Sequence, residues 1–315
     1  MANEFPGVLC CGNLVLDTLV RPVPEHPPWN ASHWVESIEQ HLGGNGANTA
    51  YAIGKLGVPS RLAGAIGNDP AAARILALLA EAPVDPTFLI RSTLPTAATV
   101  ALVRADGARS LLHCPGASRD AFLSPLEIAP ALARGCSRFH LGNPFGVPGL
   151  RRNAPEILRR ARAAGLATSI DAGWDSQGEW AAVFSPCLAH SDVVFVNASE
   201  AFHLTGLPDP ASAAGALLAQ GPACVVVKLA EQGCAVYTSS VEHLIPAFSV
   251  PTLDTTGAGD CFAGGFLAAL VRGFDLASTA RFANATGALS VSTLGSVSGL
   301  LSFEDTLRWI EARPA

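Results

Sequence analysis

The segment Asp254-Thr255-Thr256-Gly257-Ala258-Gly259-Asp260 runs two glycines and a carboxylate into residues 261–274, where Phe262, Phe266 and Leu270 recur at four-residue spacing. That period predicts a buried amphipathic helix with Gly-Ala-Gly-Asp as its first turn. The first turn of a helix has unpaired N–H groups and the positive end of the dipole, and glycine lets an anion approach the main chain closely. Gly257, Ala258 and Gly259 therefore read as an anion hole. Asp260 at its rim repels a phosphate but can take the proton from a hydroxyl that attacks one. The combination points to phosphoryl transfer, although the same tetrapeptide also makes an ordinary helix start with no chemistry.

A second glycine cluster lies near the other end of the chain. Gly43-Gly44-Asn45-Gly46-Ala47-Asn48-Thr49-Ala50 leads into residues 51–57, where apolar side chains at helical spacing stop at Gly57, a residue suited to a C-cap. Two such loops roughly 210 residues apart, each flanked by short polar side chains, fit a site that holds two ligands. Neither loop is a complete nucleotide fingerprint. Gly44-x-Gly46 has Thr49 where a dinucleotide loop needs glycine, no apolar strand precedes it, and G-x-x-x-x-G-K-S/T is absent from the chain. P-loop NTPase and simple dehydrogenase chemistry are both disfavoured.

In these two loops the chain resembles the ribokinase-like (PfkB-type) carbohydrate kinases, whose signatures are G-G-x-G-x-N near the start and D-T-x-G-A-G-D near the end. The similarity extends from Val8 to about Phe303. It implies an α/β fold: a ribokinase-like three-layer α/β/α architecture with a mainly parallel central sheet and a small β-sheet lid. It also implies ATP and Mg2+ as cofactors and transfer to a primary hydroxyl of a small sugar or nucleoside, with Asp260 as base. A non-catalytic sugar-binding protein of the same fold is the alternative from another class. Intact Asp260, Gly257 and Gly259 argue against it, since a binding module needs no base facing an anion hole.

The resemblance carries further roles onto this chain. Asp17, after Gly12-Asn13-Leu14-Val15-Leu16 at the end of the first strand, would accept hydrogen bonds from a substrate diol, with Gly43, Gly44, Asn45 and Asn48 beside it. Asn197-Ala198-Ser199-Glu200 matches an N-x-x-E motif that holds phosphate and magnesium largely through ordered water; a helix capping box is the competing reading. Lys228 to Gly233 corresponds to the nucleotide loop, with Ala230 where glycine is usual, and Lys228 either neutralises phosphate charge or snorkels to solvent. Asn284, within a helix over 276–291, stands where adenine is contacted. Asp254 and Thr256, with Ser290, Thr293 and Gly295, resemble the family's monovalent-cation site, so K+ is a candidate activator. Asn45 replaces a frequent lysine and Gly142 a usual glutamate of ribokinases, which disfavours ribose.

The elements that must position these residues alternate along the chain. Apolar strands at 8–20, 61–66, 137–141, 167–170, 192–196 and 224–229 are separated by Ala/Leu-rich helices, the sign of a mainly parallel sheet covered on both faces. Residues 21–41, rich in proline and tryptophan, and 95–114 break that rhythm. The second reads as a hairpin of 96–104 and 109–113 joined by Ala105-Asp106-Gly107-Ala108. By resemblance both insertions belong to the lid of a single 1–315 domain and form a homodimer interface. Trp29, Trp34 and His113 there would stack on a nucleoside base, pack a dimer interface or pack the lid's own small core.

Composition agrees. The chain has 315 residues, 49% hydrophobic, enough for one large α/β domain with a small appendage. Only 15% are charged and the net charge is -6, so no basic surface argues for nucleic acid or anionic lipid; the partner is a small molecule. Eight cysteines without a C-x-x-C pair read as reduced, packed thiols. No segment is long and apolar enough to span a bilayer, and the expected location is cytoplasmic.

Overall fold

The computed structural model describes residues 5–24, 29–106 and 108–313. In chain order the strands are β1 (Gly7–Cys11), β2 (Val15–Arg21), β3 (Ser37–Gly43), β4 (Ser60–Ile66), β5 (Val84–Asp85), β6 (Leu89–Arg91), β7 (Ala97–Val103), β8 (Arg109–Cys114), β9 (Cys136–Gly142), β10 (Ala167–Asp171), β11 (Val193–Asn197), β12 (Cys224–Lys228), β13 (Cys234–Tyr237) and β14 (Glu242–Ile245). The helices are α1 (Asn45–Lys55), α2 (Pro70–Ala80), α3 (Pro130–Ala133), α4 (Pro148–Ala163), α5 (Trp180–Leu188), α6 (Ala198–Thr205), α7 (Pro210–Leu218), α8 (Ala258–Val271), α9 (Leu276–Val291) and α10 (Phe303–Glu311).

The central sheet has the order β14-β13-β12-β11-β10-β9-β1-β4-β5, with β6 also paired to β4. Its pairs are parallel except β12–β13 and β13–β14, which are antiparallel. Successive side chains of a strand point to opposite faces, and here each face has its own core. Val8, Cys10, Phe195 and Val226 join α1, α2, α8, α9 and α10, whereas Leu9, Cys11, Val194 and Val225 join α4, α5, α6 and α7. Three layers follow directly from strands that are apolar on both sides.

A separate four-stranded sheet, β3-β2-β7-β8, forms the lid. The expected hairpin is present as β7–β8, antiparallel from Ala98↔Cys114 to Val103↔Arg109, although Gly107 of its connection lies outside the described residues. The first predicted strand, however, is two. The apolar run 8–20 breaks at residues 12–14, so that β1 enters the central sheet and β2 crosses into the lid beside β7 and β3. The first lid insertion thus begins at Val15 rather than residue 21.

The helix expected after Gly-Ala-Gly-Asp is α8, but it is buried all round rather than amphipathic: residues 260–269 are all buried between α1, α9 and the sheet. Close approach is made by glycine. A Cβ on Gly264 would lie 2.6 Å from the Ala52 Cβ of α1, below any real contact distance. That contact brings the N-termini of α1 and α8 side by side. Helix α1 itself begins within the glycine cluster, so Asn45 and Asn48 sit in its first turn, and Gly57 ends it with φ +74° as expected.

Candidate active site

The two helix starts meet at one carboxylate. Asn45 Nδ2 donates to Asp260 Oδ1 at 2.8 Å and Asn48 Nδ2 donates to Oδ2 at 2.9 Å. Each amide is itself oriented. Asn143 Nδ2 donates to Asn45 Oδ1 at 3.1 Å, and the Ser296 hydroxyl donates to Asn48 Oδ1 at 2.9 Å, so both NH2 groups are turned toward Asp260. Burial raises the Asp260 pKa to about 7; the Asn48 and Asn45 hydrogen bonds pull the other way, as does Lys228, while Asp171 adds to the rise. A carboxyl group poised near neutrality suits a general base.

Asp260 sits at the N-terminus of α8, whose N-cap Gly257 has a left-handed φ of 73°. Gly257, Ala258 and Gly259 line a cleft of about 1150 Å³ together with Asn45, Asp171, Asn197, Glu200, Lys228, Ala230, Gly233, Asp260 and Asn284. Asp171, Asn197 and Lys228 are the last residues of adjacent parallel strands β10, β11 and β12. The cleft therefore opens at the carboxyl edge of the sheet, where ligands of open α/β folds bind.

Lys228 does not snorkel. Its Nζ lies 2.9 and 2.7 Å from the two carboxylate oxygens of Asp171, and a Cβ added to Gly259 would lie 3.1 Å from it. Burial works against the ammonium, but Asp171 and Glu200 outweigh it and the Lys228 pKa is raised. A positive charge is thus fixed beside the anion hole. The apolar run 167–170 predicts a strand that stops short of Asp171, and the carboxylate one residue further on is the signal in the sequence that marks it.

The Asn197–Glu200 motif forms the helix capping box of the competing reading, and it also lines the cleft. Asn197 Oδ1 accepts from Glu200 N at 2.8 Å and Glu200 Oε2 accepts from Asn197 N at 2.7 Å, a complete capping box that also faces the cleft. Burial raises the Glu200 pKa, opposed by Lys228 and reinforced by Asp171. Among the described residues no group of three or more His, Cys, Asp or Glu is arranged to hold a metal. One carboxylate and one amide nevertheless fit Mg2+, which keeps several waters and takes its remaining ligands from phosphate.

The nucleotide loop departs from glycine at a costly place. Ala230 has φ 52°, the left-handed region, with Gly233 following at φ 99°. Asn284 lines the cleft, and its Nδ2 is engaged by the carbonyls of Ile245 and Pro246 at 3.1 and 3.0 Å, so it ties β14 to α9 as well as facing any ligand.

On the lid side the geometry corrects the sequence reading. Asp17 does not end a strand of the central sheet; it lies within lid strand β2, opposite His41 of β3 and Thr99 of β7. Burial raises its pKa to about 6, with the Thr99 hydroxyl opposing. A side chain at Gly43 would collide with the Asp17 carboxylate. Gly44 caps α1 with φ 91°, and Gly142 ends β9 against the Asn45 backbone, where a Cβ would stand 3.3 Å away. Trp29 and Trp34 are almost wholly exposed and so are not packed into a lid core, and His113 is tied through Nδ1 to the Thr99 hydroxyl at 3.1 Å.

The residues expected to hold a monovalent cation are hydrogen-bonded among themselves and to an arginine. Asp254 Oδ1 accepts from Thr256 N at 2.9 Å and from the Thr256 hydroxyl at 2.6 Å, and Oδ2 accepts from Gly295 N at 3.1 Å. The Ser290 hydroxyl donates to Ser296 O at 2.8 Å, and Thr293 bonds back to Ser290 O at 3.4 Å. Arg109 of the lid stands on the same group, 3.1 Å from Asp254 Oδ1.

Residues 7–302 match the family described as pfkB family carbohydrate kinase. The chain belongs to that family. A fructokinase of Vibrio alginolyticus is 32% identical over 285 residues, 85% of this chain and 91% of the relative. An aminoimidazole riboside kinase of Salmonella typhimurium is 30% identical over 281 residues, 84% of this chain and 86% of the relative. The solved structure of a Xylella fastidiosa fructokinase with bound ATP superposes with a TM-score of 0.82 at 27% identity, covering 97% of this chain and 98% of that one. As a pfkB carbohydrate kinase the chain is a phosphotransferase acting on a hydroxyl group. No helix among its described residues is long and apolar enough to cross a membrane.

Proposed function

We propose that this kinase transfers the γ-phosphoryl group of ATP to a primary hydroxyl of a small neutral sugar. The observation that carries the reading is Asp260, held by Asn45 and Asn48 next to the Gly257–Ala258–Gly259 amides, with its pKa raised to about 7. Asp260 accepts the proton of the acceptor hydroxyl as its oxygen attacks phosphorus. The three amides and Lys228 stabilise charge on the transferring group. Asn197 and Glu200 would hold Mg2+ through water, and the metal supplies neutralisation of phosphate charge. Gly233, Ala230 and Asn284 would line the nucleotide side of the cleft, and Asp17, Gly43, Gly44 and Asn45 the acceptor side.

The acceptor side favours a neutral polyol over a sugar acid. Asn45, Asn13 and Asn143 there are uncharged amides, joined by Asn45 N donating to Asn13 Oδ1 at 2.9 Å, and Asp17 is a carboxylate whose charged neighbours are Asp254 and Arg109, the arginine itself paired to Asp254. A second carboxylate on the substrate would be repelled. Sugar is favoured over nucleoside because neither lid tryptophan is among the residues lining the cleft, where it could stack on a base. A nucleoside acceptor is the second reading, supported by the riboside kinase relative.

Further readings are supported by the molecule's surface and thiols. Ile38, Val100 and Leu112 share the lid face opposite Asp17 and are exposed, which supports a homodimer formed through the lids of a single 1–315 domain. Eight free cysteines, six of them buried, support a reducing, cytoplasmic setting. ADP release with MgATP across fructose, ribose, 2-keto-3-deoxygluconate, adenosine and inosine tests the substrate assignment. Turnover confined to a neutral sugar is expected; turnover confined to the acid or to nucleosides contradicts it.

A further inference from the structure

We infer that Arg109 is a built-in cation that positions the anion hole, so that this kinase needs no soluble monovalent ion; the inference rests on the kinase reading above. Arg109 begins β8, the edge strand of the lid, opposite Val103. Its guanidinium reaches 145 positions along the chain to three consecutive residues. Nη1 stands 3.1 Å from Asp254 Oδ1 and donates to the Thr256 hydroxyl, and Nη2 donates to the Thr255 hydroxyl at 3.1 Å. The next residue is Gly257, the N-cap of α8.

Several oxygens around this loop already take part in hydrogen bonds. Besides the bonds at Asp254, the Val291 carbonyl accepts from Leu253 N at 2.8 Å and Asp254 N at 3.3 Å, and the Ser290 hydroxyl donates to Ser296 O. A potassium ion that drew on Asp254 would have to share the carboxylate with these bonds and sit against a guanidinium of like charge. Arg109 instead supplies the positive charge with directional donors, in a planar fork suited to Asp254 and two hydroxyls. Because Thr255 O accepts from Ala258 N at 3.4 Å, the clamp reaches the first turn of α8 directly. Arg109 is a positioning residue: it acts on the amides through Asp254, Thr255 and Thr256.

The test uses full-length protein, Arg109→Ala and Arg109→Lys. Wild-type turnover is expected to be equal, within about twofold, in tetramethylammonium and potassium buffers. Arg109→Ala is expected to lose on the order of ten- to a hundredfold in kcat with a smaller change in KM for ATP, as a misplaced transition-state contact does. Added guanidinium or potassium is expected to restore part of that loss, and Arg109→Lys to keep more of the rate. Strong potassium activation of the wild type, or an unchanged Arg109→Ala, overturns the inference. Hydrogen exchange without substrates separates its failure from that of the kinase reading. The amides of 255–260 are expected to exchange faster in Arg109→Ala and to slow again with guanidinium; identical exchange in the two proteins overturns the clamp whatever the acceptor.

Discussion

Asn45 Nδ2 and Asp260 Oδ1, 215 positions apart in sequence, lie 2.8 Å apart and join the two glycine loops at a single buried carboxylate. Asn48 completes the grip on the other oxygen. The proposed base is thus oriented from one helix start while the proposed anion hole is supplied by another, and the Gly264–Ala52 contact between α1 and α8 keeps the two in register.

The acid limb of the pH–rate profile reports this carboxylate. Asp260 has its pKa raised to about 7, so the base form is lost as pH falls through 7. At pH 6 kcat/KM is expected near one tenth of its plateau, roughly one tenfold step per pH unit below the pKa. A steady-state profile from pH 5 to 9 checks it, and a flat profile down to pH 5 contradicts the assignment.

Asn45→Ala removes a hydrogen bond that lowers the Asp260 pKa, so the same limb is expected to move to higher pH. The plateau falls as well, since the carboxylate loses its orientation. A limb that stays in place shows that Asn45 does not act on the base.

Lys228 and Asp171 form a buried pair, with side chains 16% and 9% exposed. Lys228→Met leaves Asp171 uncompensated close to Asp260 and Glu200, and a loss of about 3–5 kcal/mol is expected on denaturant unfolding. The double variant Lys228→Met/Asp171→Leu is expected to recover most of the stability but not the affinity for ATP. Recovery of both contradicts the role of Lys228 in holding phosphate.

Ala230 occupies the left-handed region with φ 52°. Ala230→Gly relieves strain of about 1–2 kcal/mol and gives back about 0.4–1 kcal/mol to the unfolded chain, so a gain of up to roughly 1.6 kcal/mol is expected. Thermal unfolding measures it; a fall in Tm shows that the alanine methyl is packed favourably.

Contiguous motifs were legible in the sequence and solitary residues were not. The loops at 43–50 and 254–260 announce themselves because glycine, amide and carboxylate are adjacent in sequence, and the alternation of apolar runs with helical patterns reveals the three layers. The run 8–20 was read as one strand because residues 12–14 do not interrupt its apolar character, yet the chain changes sheets there. Asn143, Asp171 and Arg109 act through partners 98, 57 and 145 positions away. No local pattern encodes such meetings; they arise from strand order and lid placement. Trp29 and Trp34 differ in the opposite way, their residue type suggesting a packed lid core while both side chains are exposed.

The central claim is that Asp260 is the base of phosphoryl transfer and not merely a helix-start residue. Asp260→Asn, assayed for turnover and for ATP binding on the same preparation, tests it most directly. The account predicts a fall in kcat of about 10²–10⁴-fold with ATP affinity changed by less than about threefold, because the amide keeps the size of the side chain and the anion hole is untouched. A variant that turns over near the wild-type rate contradicts it.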